Sequence, residues 1–330
     1  MVNNRFFILD RYFCFVLFFF LWLLYGGNLW NGDREAYEVY FQRDALSYWG
    51  VEVGYGALNL IFNKLGASFQ MFQVFISFIT LFLTFRFISK VTCIFSTSLL
   101  VYFFFMFPLD YVLMRNTLAF SIVLNALVPL FNNDKKSFFW LVVLATLFHQ
   151  SACLFMILIF TDGKNDVKKY KVIFFMVLFA VFIKVLLLSG FMPLRIVEHL
   201  NYYGVSVKSL IFNILMQFIS VFIFLRGFNR EKKIFLGNYW PRFICNINIV
   251  SLILIPLYFY GDIFLRVFRL FVFIDLLMIV HFIMAKRILN LWMLLYLVLF
   301  SSYLFYYFIY LQVDLTLVPL FRDNFFSFVL

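Results

Sequence analysis

Leu109–Leu130 reads LDYVLMRNTLAFSIVLNALVPL, and this stretch decides the fold class. The hydrocarbon core of a bilayer is roughly 30 Å thick and a helix rises about 1.5 Å per residue, so about 20 apolar residues cross it. The stretch is long enough, yet Arg115 sits within it, a few residues from one end. A membrane-embedded arginine costs about 2.5–3.5 kcal/mol on insertion scales and does not discharge by losing its proton. Two readings of Arg115 follow. It snorkels to the interface beside Asp110, or it lines a polar cavity and binds an anion.

The rest of the chain has the same character. Its 330 residues are 65% hydrophobic and 24% aromatic, with a mean hydropathy of +0.98. Soluble domains are nearer half apolar. Long uncharged runs recur, not the alternating segments of a transmembrane barrel. The expected fold is therefore all-α, a polytopic integral membrane helix bundle forming one domain over residues 1–330, with about ten membrane segments. The first, Tyr12–Leu29, reads as a retained span because no small-residue cleavage site follows it.

The formal net charge of +11 does not indicate nucleic acid. Basic residues gather in short loops between apolar runs, the orientation signal of inner-membrane proteins. The four cysteines (Cys14, Cys93, Cys153 and Cys245) fall in apolar runs without metal-ligand spacing. No DxD pair, phosphate-binding loop, dinucleotide fingerprint, GxSxG or HExxH is present. Neither metal nor cofactor is expected.

Charge placement sets the topology. The first long loop, residues 31–68, carries five acidic against three basic residues and belongs outside. Lys135 and Lys136 then lie inside, and Arg115 lies towards the outer side. The basic loops at 161–171 and 226–242 fall on the wrong side if 138–160 crosses as an ordinary span. They return inside if 138–160 is a re-entrant hairpin bending near Phe148–Ser151, which is permitted where the break is buried or lines a wet cavity. The second outer loop is then 191–208.

This arrangement brings the polar candidates to one side. Arg266 and Arg269 are one turn apart and enter from the same side as Arg115. Three guanidiniums in low dielectric suit a diphosphate, because the planar fork donates two hydrogen bonds at once. His149, beside Gln150 and Ser151 at the possible break, can take a proton from a sugar hydroxyl. Glu52 is the alternative base. Asp33, Tyr37 and Tyr55 of the first loop, with His199 and Tyr202 of the second, combine hydroxyl acceptors and flat rings, the means of sugar recognition. Lys184 and Asp275 lie deep in apolar runs, where they pair or face the cavity. An acyl-transfer enzyme usually needs a histidine–carboxylate pair, and His149 has no carboxylate near it in sequence.

Five sequence features in order resemble one family: Asp33, Tyr37 and Phe41 at four-residue spacing; Glu52-x-Gly54-Tyr55 with Asn59; Met114-Arg115 with Leu118-Ala119; Phe148-His149-x-Ser151-Ala152; and Arg266 with Arg269 before an apolar span. Together they look like the EpsG-like, Wzy-type polysaccharide polymerases, over roughly residues 30 to 320. The resemblance departs at Asn116, where a glutamine is expected after the arginine, and in the Phe-rich last outer loop. It implies a polyprenyl-dependent glycosyltransferase of the GT-C-like type in the bacterial inner membrane. Such an enzyme joins undecaprenyl-diphosphate-linked oligosaccharide repeat units at the outer face, without nucleotide or metal, in some systems beside a chain-length regulator. Under that resemblance Arg115, Arg266 and Arg269 hold the diphosphate, and His149 or Glu52 accepts the acceptor's proton. A flippase for the same lipid is the competing reading. It should show two pseudo-symmetric halves, and none are visible.

Overall fold

A computed structural model describes residues 4–43, 46–161, 166–189, 207–229, 240–260 and 265–325 of the chain. The described residues form helices and connections without a strand. The first long helix, α1 (Asn4–Gly26), leads to two short ones, α2 (Arg34–Gln42) and α3 (Val53–Lys64), and then to α4 (Phe69–Val91). Next come α5 (Phe95–Phe105), α6 (Phe107–Asp110), α7 (Met114–Phe131), α8 (Lys135–Phe148) and a 3-10 arm, Gln150–Phe160. The second half holds α9 (Lys169–Leu188), α10 (Val207–Asn229), α11 (Trp240–Ser251, extended by a 3-10 stretch to Phe259), α12 (Leu265–Lys286), α13 (Leu291–Phe308) and α14 (Val313–Arg322).

Among the described residues, seven helices are long and apolar enough to cross a membrane, and Phe95–Phe105 and Gln150–Phe160 are shorter apolar helices. The apolar run over 91–107 predicts a single span, and in the structure it is broken before Phe107. Pro108 has no N–H to donate and its ring crowds the carbonyl one turn back, so α5 stops and α6 restarts on a new axis. The most enclosed helix is α12. Every residue from Leu265 to Phe282 is buried except Arg266.

Side-chain links to backbone fix which ends lie together. Near the start of α1, Asp10 accepts from the backbone N–H of Phe95 and Ser96 at 3.0 and 3.2 Å, which brings the first turns of α1 and α5 together. At the other end, Trp22 donates to Val74 O at 3.0 Å, and Asn28 donates to Pro319 O at 3.1 Å. One end of the bundle therefore gathers the end of α1, all of α2 and α3, the starts of α4, α7 and α12, and α14.

The α8 segment leaves the opposite end at Lys135 and climbs to this gathered end, where the chain turns at His149 in an extended conformation. The 3-10 arm then descends alongside. Ser151 lies against Asn116 near the start of α7, and Phe155 packs edge-on to Phe120 one turn further down the same helix. Past the arm, Asp166 pairs with Arg242 at 3.5 Å, close to the Trp240 ring that stacks on Phe131 at the far end of α7. Both limbs are about 21–22 Å long by helical rise, enough to reach from one end of the bundle to the other.

One polar network inside the bundle is satisfied from within, because a bilayer offers no water to do it. Asp275 accepts from Asn248 Nδ2 and from Tyr296 OH, each at 2.6 Å, and Ser220 Oγ lies 2.8 Å from that hydroxyl. This network ties α10, α11, α12 and α13 together. Lys184, the other apolar-run charge, is exposed. Nearer the gathered end, Arg269 is fully buried and forms an ion pair with Asp110, while its Nη1 donates to Met106 O at 3.3 Å.

Removing one partner of a buried pair strands the other, at about 3–5 kcal/mol, whereas replacing both by apolar side chains is often neutral. We therefore expect Arg269→Met alone to abolish monodisperse expression. The pair Asp110→Leu with Arg269→Met should restore it. Fluorescence-detected size exclusion with a thermal ramp reads both outcomes.

Candidate functional site

The site is built at the gathered end, where three separate segments deliver Glu52, Arg115 and His149. Glu52 stands just ahead of α3, Arg115 in the first turn of α7 and His149 at the turn after α8. The carboxylate of Glu52 uses both oxygens. Oε2 forms an ion pair with Arg115 Nη1. Oε1 lies 2.6 Å from His149 Nδ1 and also accepts from the backbone N–H of Gln150 at 3.2 Å. The last bond satisfies the opening N–H of the 3-10 arm.

A carboxylate only accepts, so His149 Nδ1 carries the proton in this pair, and the neutral imidazole in that tautomer keeps its lone pair at Nε2. Glu52 is 7% exposed at its side chain, Arg115 31% and His149 20%. The anion is enclosed while the cation and the imidazole remain open to a ligand. Burial pushes the Glu52 carboxyl up. The His149 hydrogen bond and the Arg115 guanidinium outweigh it, and the group lies below the ordinary glutamate range.

Arg115 lies against two rings. Its guanidinium carbon is 5.4 Å from the Tyr37 ring centre and 5.3 Å from that of Trp49. Trp49 was not singled out by sequence. It lies in a 3-10 turn, Leu46–Trp49, and packs on Tyr55 at 5.0 Å. The Tyr37 and Tyr55 rings, expected to stack on sugar, are 5% and 0% exposed. They wall in Arg115 and offer no open face to a saccharide, because an aromatic run in sequence does not show which rings are packed.

The first loop is pinned by Arg34. Its Nη1 donates to Asn28 O at 2.6 Å and Gln73 Oε1 at 3.0 Å, and its Nη2 donates to Glu38 and Gln70 at 2.8 and 3.0 Å. That anchorage places Asp33 and Tyr37. Burial raises the Asp33 carboxyl above its ordinary range, with Arg266 and then Arg115 pulling the other way. Asp33 therefore lies within the electrostatic reach of both arginines. Arg269 is not part of the site, being engaged by Asp110 in the core. His199 and Tyr202 lie outside the described residues. Among the described residues, no group of three or more histidine, cysteine or acidic side chains can hold a metal ion.

Two glycines set the approach of α3. A Cβ on Gly54 would lie 3.0 Å from both Cβ and the carbonyl oxygen of Leu147, in the last turn of α8. One on Gly56 would lie 2.5 Å from Trp49 Cδ1. Gly54 thus lets α3 touch the end of α8, which carries Glu52 onto His149. Gly56 seats the indole that backs Arg115. The carboxylate missing from the neighbourhood of His149 in sequence is Glu52, 97 residues earlier. The nearest signal in the sequence is Glu52 followed by closely spaced glycines.

A family model described as the EpsG family matches residues 11–321 of the chain. No curated protein and no solved structure matches it.

Two outcomes follow from the packing and the charge. Gly54→Ala should lower the melting temperature by the equivalent of about 1–3 kcal/mol, the usual cost of overpacking, read by scanning fluorimetry. Because the Glu52 carboxyl is depressed, its contribution to stability is complete above the ordinary glutamate range. It is lost as pH falls through the folded value. Glu52→Gln should flatten that part of the melting-temperature profile between pH 6 and pH 3, roughly the window the linkage relation sets. An unchanged acid limb in the variant would assign the sensitivity elsewhere.

Proposed function

We propose, from the premise that the chain belongs to the EpsG family, that it lengthens a surface polysaccharide by transferring a glycan from a polyprenyl diphosphate to an acceptor sugar. The observation that carries this is the bridge made by Glu52 between His149 and Arg115. It couples a proton acceptor to an anion-binding cation, the two groups that a glycosyl diphosphate requires.

In this reaction the anomeric carbon–oxygen bond to the diphosphate breaks, and a bond from the acceptor hydroxyl oxygen to that carbon forms. His149 Nε2 takes the hydroxyl proton. Glu52 holds the imidazole in the tautomer that leaves Nε2 free, and stabilises the imidazolium as it forms, so it orients the base and is not itself the base. Arg115 and Arg266 take up the charge that develops on the departing undecaprenyl diphosphate. Asp33, within electrostatic reach of both, accepts from a sugar hydroxyl in this reading. The donor is already activated, so neither nucleotide nor ATP takes part.

The seven candidate spans support a multi-pass membrane protein. We assign the site to the outer face of a bacterial inner membrane and the opposite end to the cytoplasm, following the basic loops. Residues 138–160 then enter and leave by the cytoplasmic face as a re-entrant hairpin whose tip carries His149. Arg269 has a positioning role here, through Asp110. A histidine–carboxylate pair also serves acyl transfer, and family membership favours glycosyl transfer.

Purified protein given only the lipid-linked repeat unit in detergent should lengthen it. Movement of that lipid across vesicles without lengthening would favour the flippase reading instead. His149→Gln should lower turnover by about 10²–10⁴-fold while substrate still binds. Arg115→Lys keeps the charge and loses the fork, and should lose most activity at normal expression.

A further inference from the structure

Below the site lies a groove of about 550 Å³ between α4, α7 and α8, roofed by α3. Its upper end is continuous with all three segments that build the site. Leu118 is one turn below Arg115 on α7, Phe148 directly precedes His149, and Leu58 lies on the helix that Glu52 begins. Ile79, Ile122 and Leu144 line its middle. Among its lining side chains, Asn125 is the polar one at mid-depth. Its Nδ2 is already bound to Leu83 O and Ser121 O, both at 2.8 Å. Arg86 and Lys90, one turn apart on α4, close the far end. From Phe75 to Lys90 the groove runs about 22 Å by helical rise.

We propose that this groove holds the first isoprene units of the polyprenyl tail whose diphosphate is bound at Arg115. The inference rests on the function proposed above. A diphosphate on Arg115 puts its first tail carbons at Leu118 and Phe148. From there the apolar wall leads down through the bundle to Arg86, interrupted by Asn125, whose Nδ2 is taken up by Leu83 O and Ser121 O. The rest of the tail passes out between α4 and α8 into lipid, where Phe75 and Leu144 are exposed. Because lipid is as apolar as the groove, moving the tail from one to the other gains little. What the groove supplies is register. A tail held along α7 fixes the depth and direction of the diphosphate against Arg115 and His149, and a misplacement of about 1 Å can cost 10²-fold in rate.

The test uses full-length purified protein and two donors with the same oligosaccharide, one on undecaprenyl diphosphate and one on geranyl diphosphate, which is too short to reach mid-groove. Ile122→Trp fills the floor, and Leu144→Trp fills the exposed rim in case the first variant does not fold. The expected result is a drop of about 10- to 100-fold in turnover of the undecaprenyl donor with little change for the geranyl donor. Equal effects on both donors, or none on either, overturn the groove. In parallel, an undecaprenyl diphosphate bearing a benzophenone in its third isoprene unit is photolysed with the wild type. The label should map to the groove around Ile79 and Ile122 and be displaced by unlabelled undecaprenyl diphosphate. A label mapping elsewhere, or displaced equally by phosphatidylglycerol, also overturns it. If the wild type takes the displaceable label in the groove yet lengthens no glycan, the groove stands and the polymerase reading falls.

Discussion

Arg115 carries a charge it cannot lose into the low dielectric of the bundle, and the carboxylate that meets it is Glu52. Around this pair the gathered end is assembled. The acid must be brought from a short helix beside the membrane helices, so α2 and α3 are folded down and pinned by Arg34 to the end of α1 and the start of α4. The imidazole is brought to the same carboxylate where α8 ends at His149, and the chain that follows begins its 3-10 arm on the second oxygen of Glu52. Two rings lie against the guanidinium. The result is one anion, largely enclosed, serving two half-open groups of opposite chemical use.

The second buried pair, Arg269 with Asp110, serves a different purpose. It sits below the site, with no exposed surface on the arginine, and joins α12 to the break between α5 and α7. That break is where α7 begins and where Arg115 is set. A charge pair in the core thus fixes the position of the charge pair in the site, and the two arginines one turn apart on α12 divide the work. Arg266 acts electrostatically on Asp33, while Arg269 is paired with Asp110 in the core. Three residues along a helix rotate the side chain by about 300°, so the two are offset by about 60°. That is enough to place one at the edge of the cavity and the other in the core.

A bilayer makes part of this arrangement readable from sequence alone. Span length and apolar content are set by its thickness, and a buried arginine is conspicuous because it is costly. The all-helical class, most of the long helices, and Arg115, His149 and Glu52 as the candidates could be named on those grounds. The placement of the basic loops also pointed to a bend near Phe148–Ser151, because charge in short loops is legible locally. Local signals reach no further. The predicted span at 91–107 hides the stop before Pro108, and aromatic residues such as Tyr37 and Tyr55 read alike whether they face a ligand or a packed wall.

Tertiary structure alone decided which carboxylate meets His149. Glu52 and His149 are 97 residues apart, and no periodicity or spacing links them. Their contact depends on α3 lying against the last turn of α8, which in turn depends on a missing side chain at Gly54. It likewise decided that Arg269 is a core residue, since i, i+3 spacing gives a shared helix but not the direction of the cavity. Sequence determines what the solvent demands of each segment, because transfer into lipid is a local cost. Which buried charges meet is settled only by how the helices pack, because each charge takes the nearest partner in space.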